Sequence, residues 1–171
     1  MIKAIVYTSN TGYTAGYARL LGEKTGLPVC SLGEAKEKVP AGEEIIYLGW
    51  LMAGMIKGCK PAVKRYRVRM VCGVGMGGTG TQLAEVRKAA GLPASVPLFT
   101  LQGGFDMQKL HGIYRFMMTV MAKTLGKKLS EKENRTPDEE AMLEMLLHGG
   151  SYVSEENLKD VLAWYQTSAE K

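Results

Sequence analysis

The chain is expected to fold as an α/β domain on an open, doubly wound, five-stranded parallel sheet. Three observations carry that expectation. Short runs rich in Val, Ile, Leu and Tyr recur along the first hundred residues, and several are continuously apolar, as strands covered on both faces are. Segments of helical periodicity alternate with them, the arrangement of right-handed crossovers between parallel neighbours. Glycines stand where two helical patterns stop, at Gly26 and Gly91, the place where a left-handed C-cap favours a residue without Cβ.

In order, the strands are expected at Ile2–Tyr7, Pro28–Leu32, Glu44–Gly49, Arg69–Val74 and Pro97–Leu101. Helices are expected at Thr14–Thr25, Lys57–Tyr66, Thr81–Ala90 and Ser154–Ser168. The last opens on Ser154, Glu155 and Glu156, a capping hydroxyl followed by acids that suit a helix N-terminus. The link "GEAKEKVPAGEE" between strands two and three is charged and has room for a short helix only. Residues 103–153 exceed what five strands need and read as a helical insertion. Its helices are expected at Met107–Leu125 and Pro137–His148, with Pro137 in a first turn and "GKKLSEKENRTPD" as an exposed loop between them. The span 1–171 is read as a single domain.

Composition narrows the function classes. The chain is 46% hydrophobic and 23% charged, values of a soluble globular domain, and no apolar run approaches the ~20 residues of a membrane span. The start, "MIKAIVYTSN", passes directly from strand to polar loop, without a signal peptide's apolar region, so a cytoplasmic location is expected. Cys30, Cys59 and Cys72 are widely spaced with no C-x-x-C, and only His111 and His148 could join them; reduced thiols are expected and no structural zinc site. The formal charge is +5, and half of the 22 Lys and Arg lie in 57–69 and 107–128, neither of which holds an acid. Such stretches attract phosphates, anionic membranes or acidic partners. Nucleic acid is disfavoured, because 57–69 has one aromatic, Tyr66, too sparse for a stacking platform.

The residues with the strongest chemical signal follow the first strand. "TSNTGYT", residues 8–14, puts four hydroxyls, Asn10 and Gly12 into seven positions. One Ser, Thr or Asn is enough to cap a helix. The surplus hydroxyls, a glycine that lets the backbone come close and the unpaired N–H groups of a helix start together suit a phosphate. A Walker loop is excluded, since no Gly-Lys-Ser/Thr occurs. A second glycine-rich turn, "GVGMGGTGT" at 73–81, also fits G-x-G-x-x-G through Gly73, Gly75 and Gly78. A dinucleotide site would need an acid after the next strand, and "LPASVPLFT" has none.

"TSNTGYT" resembles the phosphate loop of the flavodoxin family, [ST]-x-T-G-x-T directly after the first strand, with Ser9, Thr11, Gly12 and Thr14 filling the pattern. The resemblance covers residues 1–102 and the last helix, and it implies a flavodoxin-like fold with bound FMN. It places the phosphate on Ser9, Asn10, Thr11, Gly12, Tyr13 and Thr14. The ring would lie between the loop after strand three (Trp50, Leu51, Met52, Ala53, Gly54) and the loop after strand four (Gly75, Met76, Gly77, Gly78). Trp50 is the aromatic candidate against the ring. Two features depart from ordinary flavodoxins: the pI is near 9.1 rather than strongly acidic, and 73–81 holds no aromatic.

The insertion admits two accounts. From Ile113 to Leu125 the apolar residues span an arc of roughly 200° at helical spacing, against the ~100° stripe of a helix lying on a core. Such a helix needs two partners, the sheet and a second helix, membrane or ligand; Met142, Leu143, Leu146 and Leu147 are candidates to supply the second. The stretch 98–128, with Arg115-Phe116-Met117-Met118, resembles the bacterial quinone-linked protoporphyrinogen IX dehydrogenases of the flavodoxin superfamily. That resemblance implies a quinone acceptor and peripheral membrane contact through 107–128. The expected function is electron transfer or oxidoreduction through FMN, with a redox protein, a quinone or a small-molecule substrate as partner. The alternatives are porphyrinogen dehydrogenation and a flavin-free module binding another phosphorylated ligand.

Overall fold

The computed structural model describes residues 1–169, without the side chains of Asp138 and Ala169. Five parallel strands form the main sheet: β1 (Ala4–Thr8), β2 (Val29–Ser31), β3 (Glu44–Met52), β5 (Arg67–Gly75) and β6 (Leu98–Gln102), in the order β2-β1-β3-β5-β6. A sixth, two-residue strand, β4 (Met55–Ile56), folds back antiparallel on β3. Helices α1 (Tyr13–Thr25), α2 (Leu32–Lys38), α3 (Cys59–Arg65) and α4 (Leu83–Ala90) connect the strands, and α7 (Lys159–Ala169) closes the domain.

Alternation along the strands sends successive side chains to opposite faces. Ala4, Val6, Ile45, Tyr47 and Val71 pack under Ala35 of α2, Ala62 of α3 and Val86 of α4. Ile5, Ile46, Leu48, Met70 and Cys72 pack under Tyr17 and Leu21 of α1 and Val161 of α7. Both faces are therefore dry, which is why the strands read as continuous apolar runs. Each fully buried Leu or Ile contributes roughly 1.5–3 kcal/mol over leaving it in water. Local caps agree with this packing. Gly26 (φ 71°) closes α1 in the left-handed region and donates to the Gly22 carbonyl. Ser31 and Glu34 form a reciprocal capping box at α2.

The insertion leaves and re-enters the domain through a two-stranded ladder, β7 (Gly104–Phe105) against β8 (Gly150–Ser151). Between them run a 3₁₀ turn (Met107–Lys109), α5 (Gly112–Ser130) and α6 (Pro137–His148). The expected helix 107–125 is thus broken at its start and extended at its end, because Leu129 is buried and carries α5 through the expected loop. Only Gly126 and Leu129 of α5 are buried, so α5 does not lie on the sheet as its apolar breadth suggested. It rests on α6 instead, beside a small separate core of Phe105, Leu110 and Met145. Among the described residues no helix is long and apolar enough to cross a membrane.

Candidate functional site

In an open α/β sheet, ligands sit at the carboxyl ends of the strands, where the winding reverses. Here the reversal lies between β1 and β3. Thr8 stands beside Gly49 in the register of that pair. Trp50 stands beside Val74, and Gly75 beside Gln102. The loops leaving these positions converge on one cavity of about 480 Å³, a size typical of small-molecule and cofactor sites.

The turn after β1 is built by its own residues. Gly12 adopts φ 94°, a left-handed conformation available to it without a Cβ penalty, and its N–H donates to Ser9 Oγ at 3.2 Å. Gly12 is the N-cap of α1 and has no side chain to satisfy the first turn, which also carries no acid. Asn10, Thr11, Tyr13 and Thr14 line the cavity. Among the described residues neither the Thr14 hydroxyl nor that of Thr11 bonds another protein group; Thr14 is buried as a residue, but no buried side-chain oxygen is left unpaired, so its hydroxyl is open to the cavity. Ser9 and Gly12 are not in the wall; they shape the turn that presents the others.

The β3–β4 hairpin forms the second wall with Trp50, Leu51, Met52, Ala53 and Gly54. Its two central residues, Ala53 (φ 49°) and Gly54 (φ 77°), both sit in the left-handed region, as a tight primed turn requires. Gly75, Met76, Gly77 and Gly78 form the third wall. Gly75 of β5 has a packing reason: a Cβ there would stand 3.0 Å from Leu51 Cδ1.

The structure adds residues that sequence reasoning missed. Thr81, Gln82 and Thr100 line the cavity, as do Gly103, Gly104 and Asp106. Gly104 passes so close to Tyr13 that an added Cβ would fall 2.6 Å from its Cε1. The insertion supplies a roof of Leu110, Tyr114, Met117, Met118, Met121 and Leu125 from the α5 side, with Met142 from α6. The broad apolar arc of residues 113–125 was the available signal; one part of it faces this cavity.

Trp50 joins the two halves. Tyr114 of α5 meets it edge-to-face, with centroids 5.4 Å apart and planes at 87°, and Lys57 Nζ lies 5.7 Å from its centroid. Lys109 sits 5.1 Å from the Tyr13 ring centre and 3.8 Å from Asp106 Oδ2. Burial, and then the Asp106 charge, raise the Tyr13 phenol above its ordinary value, so it remains a neutral group. No family model, curated protein or solved structure matches this chain.

Among the described residues no three His, Cys, Asp or Glu side chains group to hold a metal. All three cysteines are free and buried; burial pushes the Cys59 thiol up to about 11 and Cys72 higher still. A thiolate nucleophile is therefore not part of the site. The arrangement brings the hydroxyls of Thr11 and Thr14, at the start of α1, to one end of an apolar slot with aromatic and thioether walls.

Proposed function

We propose that the chain is a flavodoxin-like, FMN-binding domain that performs electron transfer or oxidoreduction. The observation that carries this reading is one continuous cavity running from the unpartnered Thr11 and Thr14 hydroxyls to Trp50, Met52 and Met76. It lies at the β1/β3 reversal of a sheet ordered β2-β1-β3-β5-β6. With the β4 hairpin set aside, that is the order in which flavin is expected at this switch point. The donor set fits a phosphate ester: hydroxyls and first-turn N–H groups provide neutral donors that a helix dipole reinforces. The slot fits a flat heteroaromatic ring, since aromatic and thioether groups pack well on π faces.

In this reading Thr11, Thr14 and the first turn of α1 bind and orient the phosphate. Trp50 and the methionines hold the ring plane and exclude water. When bound, the flavin supplies the electron-transfer chemistry. The partner would be a redox protein, a quinone or another small molecule. Porphyrinogen dehydrogenation with a quinone acceptor is the narrower version, favoured by the apolar roof over the slot.

The test is the visible spectrum of the purified chain after incubation with FMN and removal of excess. A retained flavin spectrum supports the reading, and Thr14→Val should then weaken FMN binding roughly tenfold or more, as loss of a hydrogen bond to a charged group does. Thermal stability should stay within ~0.5 kcal/mol of the parent, because the hydroxyl has no protein partner to lose. A chain that refuses FMN but binds another phosphorylated ligand would transfer the site to the flavin-free module.

A further inference from the structure

Among the described residues, two besides glycine adopt a left-handed backbone: Ala53 (φ 49°) and Gln82 (φ 60°). Ala53 closes the β3–β4 hairpin, whose tight turn demands that conformation. Gln82 has no hairpin to close. It is the N-cap of α4, a position ordinarily extended and filled by Ser, Thr, Asp or Asn, and its side chain makes no cap hydrogen bond. A long side chain in this region costs free energy, and the cap offsets none of it. Strain of this kind gathers at ligand sites, and Gln82 lines the cavity.

The loop that presents Gln82 is pinned bond by bond. The Gly80 N–H donates to the Thr100 carbonyl at 2.9 Å. Thr81 Oγ1 donates to the Gly78 carbonyl and Thr100 Oγ1 to the Thr81 carbonyl, both at 2.7 Å. Thr79 Oγ1 accepts the Gln102 N–H at 3.0 Å and donates to Asn157 Oδ1 at 2.8 Å. The Gln82 carboxamide, by contrast, bonds no protein group among the described residues. Although Gln82 is exposed as a residue, its carboxamide folds back over the third wall. A Cβ on Gly77 would stand 3.4 Å from Gln82 Nε2 and 3.6 Å from its Cδ.

We infer that Gln82 is a specificity-determining residue whose carboxamide reads the edge of the ring bound in the slot, selecting rings with an N–H donor beside a carbonyl. The inference rests on the FMN reading and adds which part of the ligand is recognised, and by which side chain. A carboxamide donates and accepts in one plane, so it pairs twice with an imide or lactam edge, and the flavin ring carries such an edge. Among the described residues of the wall, the one other carboxamide is Asn10, which belongs to the hydroxyl turn. Trp50 only donates and Asp106 only accepts. The hydroxyls of Thr81, Thr100 and Tyr114 offer one atom where the edge needs two. A site that hydrogen-bonds a ligand N–H rejects the analogue lacking it more sharply than an apolar wall does.

The test is calorimetric titration of the full chain, freed of flavin, with FMN and with its N3-methyl analogue, in which the edge N–H is blocked. The parent should bind FMN about tenfold more tightly than the analogue. Gln82→Leu should bind FMN about tenfold more weakly than the parent and separate the two flavins by less than about threefold. Gln82→Gly should lose the same affinity while the thermal midpoint of the ligand-free chain holds or rises, because glycine takes the left-handed conformation freely. A merely structural role would lower affinity and midpoint together. That joint loss, equal affinity of the parent for the two flavins, full discrimination kept by Gln82→Leu, or unchanged FMN affinity in Gln82→Gly overturns the inference and leaves the FMN reading in place. A chain that binds neither flavin overturns both.

Discussion

Gly58→Ala tests how the sheet end beside the hydroxyl turn is assembled. Gly58 has φ 77° and is the N-cap of α3. A methyl there would overlap the Tyr47 hydroxyl and Thr8 Oγ1. That hydroxyl is buried and bridges two elements, 2.8 Å from Thr8 Oγ1 and 2.7 Å from the Lys57 carbonyl. A side chain in the left-handed region costs roughly 1–2 kcal/mol, and overpacking a filled interior adds about 1–3 kcal/mol. The expected loss is therefore about 2–5 kcal/mol. Tyr47→Phe alone leaves the Lys57 carbonyl without its donor and should cost about 1–3 kcal/mol. The two are not independent. Without the phenol oxygen, Thr8 is free to turn and the closest overlaps are relieved, leaving the 3.1 Å approach to Leu32 Cδ2, so the double variant should lose roughly 1–3 kcal/mol less than the sum of the singles. Urea unfolding, read as a change of midpoint at constant slope, measures all three. A double variant that equals the sum within ~0.5 kcal/mol would refute the three-way contact.

Two further changes probe local features. Ala53 occupies a turn position with φ 49° where Asn is favoured, so Ala53→Asn should raise stability by about 0.5–1 kcal/mol in thermal unfolding; no gain would mean the turn is not strained. The Glu34 carboxyl is lowered from 4.5 to about 2 by its hydrogen bonds with Lys38 and then with Ser31. Its contribution is therefore fully present above pH 4.5 and lost as the pH falls through about 2. Stability of Glu34→Gln should vary less across that window than the parent's, and parallel curves would show that the capping box is not coupled to folding.

The main sheet was legible because its signals are local and redundant. Val6, Ile45, Tyr47 and Val71 are apolar in runs bounded by turn residues, and Gly26 and Gly91 sit in the left-handed caps their positions suggested. The β4 hairpin was not legible: its turn is Ala53-Gly54, without the Asn or Asp that marks a primed turn. The end of α5 was missed for a different reason. Lys127, Lys128 and Ser130 read as polar loop, but lysines are good helix formers and buried Leu129 holds the last turn in place. At the site, the turn residues and the β3 and β5 loops were readable from their order after strands. Tyr114, Met118 and Met142 were not, because a helical pattern shows that a face is apolar but not whether core, solvent or a cavity lies against it.

That limit explains why α5 is apolar over so wide an arc. A helix packed on a sheet needs one stripe. Here Tyr114 and Met118 face the cavity, Leu129 packs inside the arm, and Ile113, Phe116 and Val120 face outward. The division separates two jobs. The hydroxyl turn and the β3 and β5 loops are fixed by the dry cores of the sheet, so that end of the cavity is as stable as the fold itself. The roof rests on a core of its own and meets the sheet domain at contacts such as Tyr114 on Trp50 and Lys109 on Tyr13. Substitutions in the roof should therefore change which molecule is accepted before they change whether the domain folds, whereas those at Thr8, Tyr47 or Gly58 should do the reverse.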